Sequence, residues 1–76
     1  MKEFVEFITK HLVNHPEQVS LGHEEKDGKV ILKLKVGEQD VGRVIGRRGR
    51  TAQAMRTLVS AVAAKQGKRA ILEILE

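Results

Sequence analysis

Seventy-six residues supply one compact core and not two, so whatever this chain does is done on a single small fold. The absence of cysteine excludes disulfide stapling, thiolate catalysis and soft metal ligation, and accords with a reducing cytosol. The net charge of +4 is unevenly placed: residues 1–41 hold six lysines against eight acids, and residues 42–76 hold eight Lys or Arg against two.

Phe4, Ile8 and Leu12 recur at helical spacing with Val5 and Phe7 beside them, which predicts an amphipathic helix over residues 2–14, closed by Asn14, His15 and Pro16. Val19, Leu21 and His23 then alternate with polar residues. Asp27-Gly28 supplies a two-residue turn, and Val30, Leu32, Leu34 and Val36 alternate with Lys33 and Lys35, so residues 18–36 read as a hairpin. Asp40 is placed to cap a second, very short helix whose apolar positions are Val41, Val44 and Ile45, with Gly46 ending it. From Thr51 to Gln66 a longer helix lines Ala52, Met55, Val59 and Val62 on one face, and Gly67 stops it. Ala70, Leu72 and Ile74 then alternate as a last strand. The predicted order is helix, strand, strand, helix, helix, strand: an α+β fold in one domain over residues 1–76. No basic-then-apolar leader or bilayer-length apolar run occurs, which predicts a soluble cytoplasmic protein with no membrane partner.

Between Asp40 and Glu73 no acid occurs, while Arg43, Arg47, Arg48, Arg50, Arg56, Lys65, Lys68 and Arg69 accumulate. One end of the fold is thereby set to attract polyanions. The sharpest feature inside that stretch is Gly46-Arg47-Arg48-Gly49, a Gly-x-x-Gly placed between two helices just before the longer one. Without Cβ atoms a sugar-phosphate chain can lie directly on such a loop, and both glycines can take positive φ to turn between helices. The next helix offers unpaired N–H groups and the positive end of its dipole at its first turn, where phosphate is favoured. Arg47, Arg48 and Arg50 add charge. Gly42, inside the short helix, costs about 1 kcal/mol relative to alanine; close approach of a ligand and tight packing of another helix are both open as reasons.

In this setting, Val-Gly-Arg-Val-Ile-Gly-Arg-Arg-Gly-Arg-Thr over residues 41–51 resembles the type II KH fold, and the likeness covers the whole chain. Within that family it is similar to the small bacterial proteins made of one KH domain with nothing appended. The resemblance implies a three-stranded sheet with three helices packed on one face. It further implies that the loop Gly46 to Gly49 clamps the backbone of about four unpaired nucleotides, with bases in a groove beside the second helix and the adjoining strand. Carried over residue by residue, Val44 and Ile45 help line that groove and Arg43, Arg47, Arg48 and Arg50 meet phosphates; Gly42, singled out by its own cost in a short helix, is a secondary site. The implied partner is single-stranded RNA, in post-transcriptional regulation or RNA chaperoning. Members of the family also associate with themselves and with a larger KH-containing protein.

Aromatic usage agrees with a clamp. The only Phe, Tyr or Trp side chains are Phe4 and Phe7, both on the first helix, which leaves no stacking platform of the kind RRM and OB modules use. On the third helix the apolar arc is wider than one small sheet need cover, with Ala54, Leu58 and Ala61 extending it sideways. These residues are the candidate surface for a homodimer or a heterodimer, the competing reading being that neighbouring elements bury Leu58. Lys33 and Lys35 either extend the basic track or keep the sheet soluble.

His11 and His15 stand one helical turn apart, but no remainder of a metal motif accompanies them, so no metal or cofactor is expected, and His23 reads as a packing residue. Glu24, Glu25 and Asp27 cluster at the hairpin turn as solvated residues. No nucleophile elbow, Walker loop or dinucleotide fingerprint occurs, so no enzyme and no small-molecule substrate is expected. The competing functions are a protein-interaction adaptor whose loop is vestigial, and single-stranded DNA binding.

Overall fold

The computed structural model describes residues 1–75. The elements run α1 (Lys2–Leu12), β1 (Ser20–Lys26), β2 (Lys29–Lys35), α2 (Val41–Ile45), α3 (Arg50–Lys65) and β3 (Arg69–Leu75), in the expected order. Single 3₁₀ turns at Pro16–Gln18, Glu38–Asp40 and Arg47–Gly49 join them. The sheet order is β1-β2-β3. β1 and β2 pair antiparallel, Leu21 opposite Leu34 and Glu25 opposite Val30, through a turn in which Asp27 and Gly28 both have positive φ, as a type I′ hairpin requires. β3 returns parallel to β2, Leu72 opposite Leu32, because α2 and α3 carry the chain back across the sheet before it re-enters.

The alternation in β2 decides which face is covered. Val30, Leu32 and Leu34 are buried, while Ile31 and Lys33 are half-buried and Lys35 is exposed on the opposite face. The covered face meets Val5 of α1, Val44 of α2 and Met55 and Val59 of α3, and Leu72 completes this core from β3. The open face carries Ile71 and Leu75, both exposed.

Three sequence expectations are corrected. In α1 the buried positions are Val5 and Thr9, not a row led by Phe4; Phe4 and Phe7 are exposed, Phe7 by 63%. Ile8 and Leu12 of the expected row are half-buried at the margin, Leu12 packed against the core, so the helix is rotated to bring the smaller Val5 and Thr9 inward and to leave Phe4 outside. His23 is exposed and packs against no core. Asp40 stands at the start of α2 but makes no side-chain cap there. Its carboxylate accepts instead from the backbone N–H groups of Asn14 and His15, at 3.1 and 2.9 Å. These charge-assisted hydrogen bonds tie the turn after α1 to the start of α2.

Candidate nucleic-acid interface

α2 is only five residues long and stops at Gly46, whose φ of 77° and ψ of 171° fall in a region essentially reserved for glycine. A Cβ at Gly46 would also overlap the Thr51 side chain, lying 2.7 Å from its Cβ. The Gly46 N–H still donates to the Gly42 carbonyl at 2.9 Å, and the Gly49 N–H donates to the Gly46 carbonyl at 3.1 Å. Between them Arg48 adopts φ 57°, ψ 25°, a left-handed conformation, and Gly49 continues it at φ 72°. A non-glycine residue held there costs about 1 kcal/mol or more. The chain keeps a charged side chain where glycine would be cheaper.

The space beside the loop is open. A Cβ on Gly49 or on Gly42 would meet no atom within 4 Å. For Gly42 this settles one of the two open reasons: no neighbouring element packs against it, so helix packing does not demand the glycine. Gly42 and Gly49 therefore leave bare backbone facing solvent on the same short segment.

The electrostatics follow from what is absent around α3. Its first turn contains no acid and Gly49 provides no side-chain cap; the Arg50 N–H is taken by the Arg47 carbonyl, and the positive dipole end there faces no fixed negative charge among the described residues. Arg47, Arg48 and Arg50 are exposed and form no ion pair with any described residue. Other basic residues of the same half are engaged. Arg56 Nε donates to the Leu72 carbonyl at 3.3 Å across the sheet edge, and Lys68 pairs with Glu25, holding that carboxyl below the usual carboxylate range by its hydrogen bond and then its charge. Lys33 lies 3.8 Å from Glu24. Lys65 and Arg69 of this half likewise pair with no described residue, but Arg47, Arg48 and Arg50 are the three such cations that stand together within four residues, at the loop.

Val44 has no exposed surface; it anchors α2 from below and offers nothing for a base to touch. Ile45 is half-buried beside the loop. At the start of α2 the surface sinks into an open depression of about 370 Å³, lined by Val36, Val41 and Leu75 with Lys35 and Glu38. On α3, Leu58 is 47% exposed and Ala54 and Ala61 are exposed beside it, so no neighbouring element buries this arc. Reading the sequence missed the part played by Asn14 and Asp40. The one available signal was an acid ahead of a basic, glycine-broken helix, which equally suggests an ordinary cap. Among the described residues no group of His, Asp and Glu is arranged to hold a metal ion, and no helix is long and apolar enough to cross a membrane.

A helix-strand-strand-helix-helix-strand chain with a Gly-x-x-Gly turn between its second and third helices has the architecture of a KH domain of the second topological type. More narrowly, the chain belongs to the KhpA/KhpB KH-domain family, whose description matches residues 2–74. It is 50% identical over 76 residues to the RNA-binding protein KhpA of Listeria monocytogenes, covering 100% of both chains. The RNA-binding protein KhpA of Borreliella burgdorferi is 50% identical over 74 residues, 97% of this chain and 90% of that one. That of Chlamydia muridarum is 42% identical over 76 residues, 100% of this chain and 97% of that one. This is not a family of enzymes.

Proposed function

We propose that this protein binds short single-stranded RNA by laying its sugar-phosphate backbone on the loop Gly46 to Gly49. The observation that carries the reading is the loop itself: a left-handed turn with open space at Gly49, three unpaired arginines and the uncapped start of α3. Arg47, Arg48 and Arg50 supply charge to phosphates, and Gly42 leaves room for the strand beside α2. Ile45 borders the path, while Val44 and Arg43 hold α2 in place. Relatives named for RNA binding support the choice of ligand. The functional setting we infer is post-transcriptional regulation or RNA chaperoning in the cytoplasm.

Few stackable rings imply modest affinity per domain, so pairing of domains gains more here than elsewhere. We read the exposed face of Ala54, Leu58 and Ala61 as the seat of a second copy, which gives a two-clamp homodimer. Sedimentation of the wild type and Leu58→Lys tests this. A wild-type monomer at high concentration removes the homodimer and leaves a larger KH-containing protein as the partner to test.

The deciding experiment titrates fluorescent single-stranded RNA with the wild type and with Arg47→Asp plus Arg48→Asp, both verified as folded by circular dichroism and melting. Aspartate tolerates the left-handed backbone of position 48, so charge reverses while the turn survives. Binding by the wild type alone supports the clamp; equal binding or none favours an adaptor with a vestigial loop. Equal affinity for DNA of the same sequence would show that the 2′-hydroxyl is not read.

A further inference from the structure

Arg43 stands apart from the other arginines of this segment because the protein itself engages it. Asp40, 1% exposed, is a buried carboxylate, and an ionised group in such a place needs both hydrogen bonds and a cation. The N–H groups of Asn14 and His15 supply the first, reaching 26 and 25 residues along the chain. Arg43, one helical turn beyond Asp40, supplies the second, with Nε 3.9 Å from Oδ1. The hydrogen-bond network assigns the Asn14 amide oxygen to the side facing Arg43, where it accepts from Nε and Nη2, both at 3.1 Å. Asn14 therefore serves twice: its backbone donates to Asp40 and its side chain accepts from Arg43.

This arrangement answers a mechanical question. A five-residue helix with a glycine at its second position cannot hold its own direction. Val44 pins it from below and the half-buried Val41 packs against the same core, so apolar contacts hold one side of the helix and leave it some freedom to tilt at the other. A planar guanidinium bridging Asn14 and Asp40 removes that freedom, and a lysine, with a point charge and no fork, would not.

We propose that Arg43 is a positioning residue and not a phosphate ligand. It locks α2 onto the turn that follows α1 and thereby sets the angle of the Gly46–Gly49 loop. The proposal deepens the RNA-clamp reading and rests on it.

The test follows binding of a fluorescent oligouridine across a potassium chloride series, with each variant also melted. Each arginine that contacts a phosphate should, when removed, lower the slope of log K against log salt by about 0.7. Arg47→Gln and Arg50→Gln are expected to do so. Arg43→Gln and Arg43→Lys are both expected to weaken binding about threefold to tenfold at every salt concentration with the wild-type slope retained. Adding Asn14→Ala to Arg43→Gln should cause no further loss. A slope lowered by Arg43→Gln as much as by the loop variants, or wild-type affinity in Arg43→Lys, overturns the proposal. Should the wild type bind no oligonucleotide, the RNA reading fails separately. The lock then stands if Asn14→Ala and Arg43→Gln lower the melting temperature less than additively, and falls if they add.

Discussion

β2 and the segment Val41–Arg50 are only five residues apart, and they are built on opposite terms. In β2 the main rules agree: Val30 and Ile31 favour an extended chain, the alternation matches the pleat, and the strand is paired on both sides. In Val41–Arg50 the local rules are broken repeatedly, by a glycine inside a helix, an arginine at positive φ, a helix start without a cap, and like charges set close together. Departures of that kind concentrate where a surface has work other than folding. The difference teaches that the segment adds to the core chiefly through Val44, and that its irregular backbone and clustered charges are held at a cost which the packing of sheet and helices offsets.

The contrast can be broken most forcefully from the side of the core. Leu32 is fully buried on the central strand, so Leu32→Ala should destabilise by about 3 kcal/mol. A domain of this size holds only about 5 kcal/mol in total, and a melting curve should show a drop of more than about 10 °C. The largest effect expected within the loop segment comes from Gly46→Ala. Its backbone angles and the overlap with Thr51 predict a loss of about 2–3 kcal/mol by denaturant unfolding, although Gly46 contributes no buried side chain. An outcome near zero would mean that the loop relaxes freely and that its strain is not held.

Gly42→Ala sharpens the comparison because its two readouts should move in opposite directions. With no atom within 4 Å of the added Cβ, the fold should gain about 1 kcal/mol, while RNA affinity falls as the methyl occupies the strand's path. Improved melting with unchanged binding would remove Gly42 from the interface. The smallest effect concerns Glu25, whose carboxyl is lowered by its hydrogen bond to Lys68 and by that residue's charge. A carboxyl lowered on folding stabilises the native state above its unfolded pKa, and the contribution is lost as pH falls through the folded value. Glu25→Gln should therefore melt slightly below the wild type at neutral pH. The gap should close as the solution is acidified beneath the usual carboxylate range.

Most of the fold was legible because most of it obeys short-range rules. The period of two in Val30, Leu32 and Leu34 marked the covered face, Asp27-Gly28 marked the hairpin turn, and Ala52, Met55 and Val59 marked the inner face of α3, all as found. The loop was legible as a motif, since two glycines and flanking arginines stand adjacent in the chain. What escaped was whatever depends on residues far apart. Which side of α1 turns fully inward depends on the surfaces it meets, and those come from later parts of the chain. The fate of the Asp40 carboxylate depends on donors 25 and 26 residues away, and the same separation hid Asn14 as a partner of Arg43.

The sequence by itself determined the order of elements, the covered face of the sheet, the basic half of the chain and the place of the Gly-x-x-Gly turn, because each is encoded in neighbouring residues through periodicity, backbone freedom or charge. Only the tertiary structure decided that Gly42 faces open space, that Val44 is wholly internal, that Leu58 remains exposed, and that Asp40 joins two distant turns. Those properties are set by which surfaces meet and which donors arrive once the chain has closed on itself, and no local pattern of residues specifies either.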